Sequence, residues 1–402
     1  MDFTYCKLRD ILISIHSGGT PSTTIKEYWG GPYKWLSSGE TGQRFISDTV
    51  DTITERGINE SSTKLAKRGS IVMACAGQGK TRGQTSYLLD DMYVNQSVIV
   101  LNPDRKKVLP MYLFYDLTGR YAELRGGSDA SSTRGSITTT SLKALAFRYP
   151  SVREQEKIVS ILYAYDNLIE VNNKRIKVLE QMAENLYKEW FVRFRIPGHE
   201  TAEFENGIPK GWAIKRLGDY GRVETGKTPS MEVSEYYGND YLFIKTPEMH
   251  GNVFVIDTEE KLSKCGHLSQ PKKLLPANSI MVTCIGTGGI VAINAEPGHT
   301  NQQINSIILD DLKYLEWLFF TCRSMRTTIE MFGATGSTMT NLSKGKFEKL
   351  KIIEPSTALI EQFHKVTEPM LKEIEKLMRA NQKLVRQRDL LLPRLMSGKL
   401  EV

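Results

Sequence analysis

The stretch GGTPSTTIKEYWGGPYKWLSSGETG at residues 18–42 returns, altered but in order, as TGKTPSMEVSEYYGNDYLFIKTPEMHG at residues 225–251. Thr20, Pro21 and Ser22 fall on Thr228, Pro229 and Ser230 at a shift of 208. Working outward, GSIVMACAGQGK from Gly69 matches NSIMVTCIGTGG from Asn278 at a shift of 209. Asn95-Gln96 matches Asn301-Gln302 at 206, and Pro150-Ser151 matches Pro355-Ser356 at 205. Four blocks in one order at a near-constant shift mark a tandem duplication. Each copy has about 150 residues of short apolar stretches broken by Gly, Pro, Ser and Asn turns, then about 45 residues of helical character. The expected divisions are a head at 1–150, a helical spacer at 151–196, a second head at 197–355 and a second spacer at 356–402.

The spacers declare themselves by periodicity. Ile158, Ile161, Leu162, Tyr165, Leu168, Ile169, Ile176, Leu179, Met182 and Leu186 recur at steps of three and four, the stripe of an amphipathic helix. Ile360, Phe363, Val366, Met370, Ile374, Leu377, Leu384 and Leu391 repeat it, with a kink or break expected at Pro369. At 1.5 Å per residue a helix of about 40 residues is about 60 Å long, too long to bury its stripe inside one head. The two stripes are therefore expected to pair with each other. The expected fold class is α+β: two similar heads joined by two long helices in an antiparallel coiled coil, with pseudo-two-fold symmetry.

Bulk properties exclude more than they select. With 402 residues, 40% apolar and 25% charged, the chain has the composition of a globular protein of two or more domains. No apolar run approaches the ~18 to 20 residues of a membrane span, and the opening MDFTYCKLRD lacks the marks of a signal peptide, so a cytoplasmic location is expected. Five scattered cysteines without a CxxC pair read as buried, reduced thiols. The net charge of +7 is uneven: 1–150 carries 19 basic and 14 acidic side chains, whereas 197–355 carries 17 and 19. A polyanionic partner must therefore be met by local clusters of cations.

The heads resemble the target-recognition domains of Type I restriction-modification specificity subunits. The resemblance lies in GGTPS, YWGGPYKWLSSGE, GSIVMACAGQGK and the NQ at 95–96, each with its second copy. The spacers are similar to that family's repeated regions, down to the LLLPRLMSGKL ending. The resemblance implies double-stranded DNA as ligand, recognised as a bipartite target. It also implies two methyltransferase subunits and motor-nuclease subunits as partners. S-adenosylmethionine, ATP and Mg2+ belong to those partners, and no cofactor is expected in this chain.

The residues themselves carry no convincing catalytic set. ACAGQGKT (Ala74–Thr81) approaches a phosphate-binding loop but has Ala74 where that motif needs Gly, and its copy TCIGTGGI lacks the lysine. Its glycines read better as a tight turn after a buried strand. HExxH, GxSxG and NPPF are absent, and the six histidines are dispersed. No metal site or nucleophile is expected.

Reading DNA needs cations for phosphates and polar side chains at base edges. Turn-rich loops supply them at Thr20–Thr24, Lys34–Ser38, Gln78–Gln84 and Arg125–Thr140, with counterparts at Lys227–Ser230, Lys245–Thr246, Gly286–Gly289 and Gly333–Lys346. Candidate contacts in the first head are Thr20, Ser22, Lys34, Ser37, Lys80, Arg82, Arg134, Ser136 and Thr138. In the second they are Lys227, Ser230, Lys245, Thr246, Thr287, Ser337, Thr338, Asn341, Lys344 and Lys346. Asn95-Gln96 and Asn301-Gln302-Gln303 can be read as adenine-binding amides or, preferentially, as braces of a buried strand. Tyr33, Trp35, Tyr236 and Tyr237 read as core or interface aromatics. Two rival classes stay open on the residues alone, a self-contained DNA methyltransferase or nuclease and a two-headed adaptor that binds only proteins.

Overall fold

The computed structural model describes residues 1–77, 79–129, 135–196, 203–205, 207–333 and 340–402, and the strand order of each sheet is that of these residues. It is a mixed helix-and-sheet molecule of two compact units: residues 1–168 with 384–402, and residues 169–383.

In the first unit the central strands Ile71–Ala74 and Val98–Pro103 are apolar runs with both faces covered. Their alternation sorts the side chains. Ile71, Met73, Ile99 and Leu101 face the helix Pro110–Gly119, packing with Tyr112, Leu113, Phe114 and Leu117. Val72, Val98 and Val100 face the other way, onto Leu36, Met92 and Val94 of a second sheet. The first sheet runs in the spatial order Leu12–Ser17, Val98–Pro103, Ile71–Ala74, Thr85–Leu88, Phe45–Ile46. Its pairs are antiparallel except the last, where Phe45 lies beside Tyr87 in parallel. The second sheet runs Asp51–Ile53, Trp29–Leu36, Met92–Val94, Lys64–Ala66. A ribbon of Thr4–Lys7 with Ala146–Tyr149 ties the start of the head to its end.

The second unit repeats this arrangement. Its large sheet runs Gly221–Thr225, Ile304–Leu309, Ile280–Thr283, Val291–Asn294, Phe254–Val255, again with only the last pair parallel. Ile280, Val282, Ile293 and Ile307 pack on the helix Leu315–Ser324. Met281, Ala292 and Ile304 pack on Leu242 and Ile244. The smaller sheet is Lys261–Leu262, Tyr237–Ile244, Gly298–Thr300; where the first unit has a fourth strand, an isolated bridge joins Leu275 to Gly298. The closing ribbon is Ala213–Arg216 with Lys351–Glu354.

Several bonds that shape one copy recur in the other. Ser37 N–H donates to Glu40 Oε2 (3.0 Å), as Lys245 N–H does to Glu248 Oε2 (3.1 Å). Trp35 N–H donates to the Thr49 hydroxyl (3.2 Å), as Phe243 N–H does to that of Thr258 (3.3 Å). Thr54 and Ser263 each cap a short helix by accepting from a glycine N–H at 3.1 Å.

The helices Val152–Tyr187 and Thr357–Met396 each contribute to both units. In the first unit Ile158, Leu162, Leu392 and Leu395 enter its core. Asp166, 2% exposed, accepts from Arg388 (2.6 Å), Arg44 (3.1 Å) and the Tyr115 hydroxyl (2.7 Å). In the second unit Ala183, Tyr187, Ile360, Phe363 and Ile374 are core residues. There Asn381 bonds both Asn172 and Asn173 at 2.8 Å, and Arg175 pairs with Glu373 at 3.1 Å. Positions rise on one helix as they fall on the other, so within that unit the two segments run antiparallel.

Two expectations are corrected. Pro369 does not interrupt its helix, which is continuous over Thr357–Met396. The missing N–H removes one backbone bond, but buried Phe363, Leu371 and Ile374 hold the turns on either side. The cysteines are all free, yet not all buried: Cys284 and Cys322 are, Cys6 and Cys75 are half-buried, and Cys265 is exposed. No helix among the described residues is long and apolar enough to cross a membrane.

Candidate nucleic-acid interface

In each head, segments far apart in sequence converge on the Asn-Gln turn. Gly19 N–H bonds the Val94 carbonyl (3.1 Å), Asn95 N–H bonds that of Leu36 (3.1 Å), Cys75 N–H that of Ser97 (2.9 Å) and Ile137 N–H that of Cys75 (2.9 Å). The loops at 18–22, 36–40, 75–77 with 79–83, and 135–138 therefore meet at one end of the sheet. In the second head Lys227 N–H bonds the Thr300 carbonyl (2.9 Å), Asn301 N–H that of Ile244 (3.1 Å), Cys284 N–H that of Gln303 (2.7 Å) and Leu342 N–H that of Cys284 (2.9 Å). The candidate loops of both heads are thus clustered by the same set of main-chain bonds. Gly77, Gly79 and Gly83 in one hairpin, and Gly286 and Gly289 in the other, have positive φ, as a tight turn requires.

The candidate side chains divide by what they touch. Ser22, Lys80, Ser136, Thr138, Lys227, Ser230, Thr287, Asn341, Lys344 and Lys346 are exposed. Thr20 is half-buried and donates to Gln96 Oε1 at 2.5 Å; its counterpart Thr228 donates to Gln302 Oε1 at 2.6 Å. Ser37 is held by Glu40, and Thr246 donates to Gln303 Oε1 at 3.3 Å. Lys34 reaches Asp90 (2.8 Å), Asp48 (3.7 Å) and the Ser47 carbonyl (2.6 Å), and the bond to Asp90 raises its pKa. Lys245 pairs with Glu260 at 2.6 Å. Arg82 is 6% exposed and donates to the Gly135 carbonyl at 2.8 Å, so it braces the hairpin from inside the head rather than displaying charge on its surface. Arg134, Ser337 and Thr338 lie outside the described residues.

The two long polar loops are shorter than their sequences suggest. Arg125 to Asp129 complete the helix Tyr121–Asp129, anchored by buried Leu124, and Thr138 caps the helix Thr139–Ala144 by accepting from Ser141 N–H at 3.0 Å. In the second head Gly333 ends the helix Arg326–Gly333, Thr340–Asn341 pairs with Ile285–Gly286, and Lys344–Glu348 is helical. Among the aromatics, Trp35 is buried and donates to the Gly19 carbonyl (3.3 Å), whereas Tyr33 is 39% exposed, edge-on to Tyr93.

Two groupings carried no signal in the sequence. A cleft of about 1030 Å³ in the first unit is lined by Arg44, Lys80, Arg120, Arg125, Arg148 and Arg388, with Asp116 and Asp389. Two of its cations serve the fold: Arg120 bonds Glu123 and the Ala146 carbonyl, each at 2.8 Å, and Arg148 lies over the Phe3 ring at 4.9 Å. Burial pushes the Asp116 carboxyl up to about 6 against the pull of Arg120. In the second unit His267 and His299 meet at 3.1 Å, with Tyr241 stacked on His267. Burial, with His267 beside it, lowers His299 to about 4, so it is neutral at pH 7. The histidines are not all dispersed in space; these two stand 32 residues apart on separate elements.

Comparison with known proteins places this architecture. The family model described as the Type I restriction modification DNA specificity domain matches residues 1–181 and again 209–374. The HindI specificity subunit of Haemophilus influenzae is 32% identical, over 91% of this chain and 94% of that one. The MjaIX specificity subunit of Methanocaldococcus jannaschii is 28% identical over the whole chain and 94% of the relative. The crystal structure of an S subunit from M. genitalium, at 14% identity, superposes with a TM-score of 0.60, covering 98% of this chain and 96% of that one. With the model matched once in each half, on a fold shared with a solved S subunit, the chain belongs to the Type I restriction-modification DNA specificity family.

Proposed function

We propose that this chain is the DNA-specificity subunit of a Type I restriction-modification assembly. Each head reads one half of a bipartite duplex target, and the two long helices, paired as a coiled coil about a pseudo-two-fold axis, set the interval between the halves. The observation that carries this reading is the duplicated loop cluster: one set of main-chain bonds gathers exposed Lys, Ser and Thr side chains around an Asn-Gln turn in both heads. Polar, cationic loops on a rigid scaffold are what contact with phosphates and base edges asks for.

The chain takes no catalytic part in this scheme. Two methyltransferase subunits holding S-adenosylmethionine would modify adenine, and motor-nuclease subunits would use ATP and Mg2+, in the cytoplasm. The named relatives are themselves specificity subunits of restriction enzymes, which supports the assignment.

The test is co-expression with the methyltransferase subunits, followed by sequencing that detects methyladenine. Methylation confined to one split motif with a fixed gap is expected. Turnover by the purified chain alone would favour a self-contained enzyme. Binding that ignores duplex sequence in gel-shift competition, with no motif in the methylation map, would favour a protein adaptor.

A further inference from the structure

We infer that Gln96 and Gln302 are phosphate-contact residues, one in each head, which seat the heads on the DNA backbone without reading its sequence. The inference rests on the function proposed above and assigns one donor to each head.

The Asn-Gln turn splits into an inward and an outward residue. Asn95 and Asn301 are each 9% exposed, and each closes a turn with its side chain: Asn95 Oδ1 accepts from Ser97 N–H (3.0 Å) and Asn301 Oδ1 from Gln303 N–H (3.2 Å). These asparagines are structural, as the braced-strand reading requires. Gln96 and Gln302 are exposed. A free glutamine amide offers both an acceptor and a donor and can read adenine with the pair. Here Oε1 takes the hydroxyl of Thr20 in one head and Thr228 in the other, which spends one of its two lone pairs and fixes the amide in place. Among the described residues the NH2 is the part of each side chain with both of its hydrogen bonds still to make, and it is a donor.

A donor suits a phosphate oxygen or a guanine edge, and the duplication decides between them. The Thr-Gln pair stands at the same point of both heads, while its neighbours diverge: Ser37-Ser38 in one is Lys245-Thr246 in the other, and ACAGQGKT is TCIGTGGI. A contact held constant while its surroundings change serves what two different half-sites have in common. That common part is the sugar-phosphate backbone.

The chain assembled with its methyltransferase subunits tests this through Gln96→Ala, Gln96→Glu and the same changes at Gln302. Gln96→Ala is expected to weaken binding to target and unrelated duplexes alike, by about tenfold, as loss of one hydrogen bond to a charged group does. The methylated sequence should stay the same. The slope of log affinity against log salt should also stay the same, because a neutral side chain releases no counterion. Gln96→Glu keeps an oxygen for Thr20 but turns a carboxylate toward the backbone, and should bind more weakly than Gln96→Ala. A changed methylated half-site would overturn the inference in favour of base reading, and Gln96→Glu binding as tightly as the unaltered chain would reduce the glutamine to a structural tie. If the unaltered assembly itself showed no split motif, the specificity-subunit reading would fall first.

Discussion

Asp166 has almost no water around it and accepts three hydrogen bonds, from Arg388, Arg44 and Tyr115. Burial first, and that carboxylate beside it, push the Tyr115 phenol up. Arg388 is 7% exposed and without Asp166 keeps, among the described residues, only the carboxylate of Asp389, at 2.8 Å, as its ionic partner. Asp166→Ala is expected to destabilise the first unit by about 2–3 kcal/mol, the loss of charge-assisted hydrogen bonds in a buried site, read as a lower urea midpoint. His299 makes the opposite kind of demand, because its neutral form is the folded one. Its pKa falls from 6.5 to about 4 on folding, so the unfolded chain takes up a proton from pH 6.5 downward while the folded chain does not. The stability present above pH 6.5 is expected to decline by about 3 kcal/mol as pH drops to 4, and His299→Gln should remove that part of the decline in unfolding titrations. Neither group stood out in the sequence. Asp166 is one polar position on a helix, and its partners Arg44 and Arg388 lie 122 and 222 residues away.

At the scale of elements, what is periodic was legible and what is tertiary was not. The two long stripes became helices, and the apolar runs around Ile71 and Ile280 became central strands with alternate side chains on opposite faces. The polar stretches from Arg125 and from Gly333 were partly misjudged, because buried Leu124 and the Thr138 cap draw their ends into helices. The break that local chemistry allows at Pro369 is absent for a similar reason: packing of Phe363, Leu371 and Ile374 holds the helix continuous through it. The lost bond still has a cost, so Pro369→Ala should stabilise the second unit by about 2 kcal/mol. That is the ~3 kcal/mol helix penalty of proline less the ~0.4–1 kcal/mol gained from a stiffer unfolded chain. A raised urea midpoint with an unchanged slope would show it.

At the scale of the molecule, the duplication was legible because a repeat is a property of order along the chain. The compact units were not, since their limits at 168/169 and 383/384 fall inside the two long helices rather than at the ends of the repeats. The loops that hold the candidate contacts do converge, and within them Arg82 bonds the Gly135 carbonyl and Lys34 pairs with Asp90, ties inside the head that charge and loop position do not reveal. If the helices act as the ruler of the target, lengthening the central one between Ile176 and Glu189 should alter the gap and leave both half-sites unchanged. Altered half-site bases at an unaltered gap, mapped by methyladenine sequencing, would refute that.

Because particular bonds recur in both heads, from the Ser37 and Lys245 caps to the Thr20 and Thr228 clamps, the molecule contains its own control. A tie cut in one head leaves its twin intact in the same particle, at the same concentration and in the same solvent. The difference between the two halves of one footprint then isolates that single bond from every error the preparation shares.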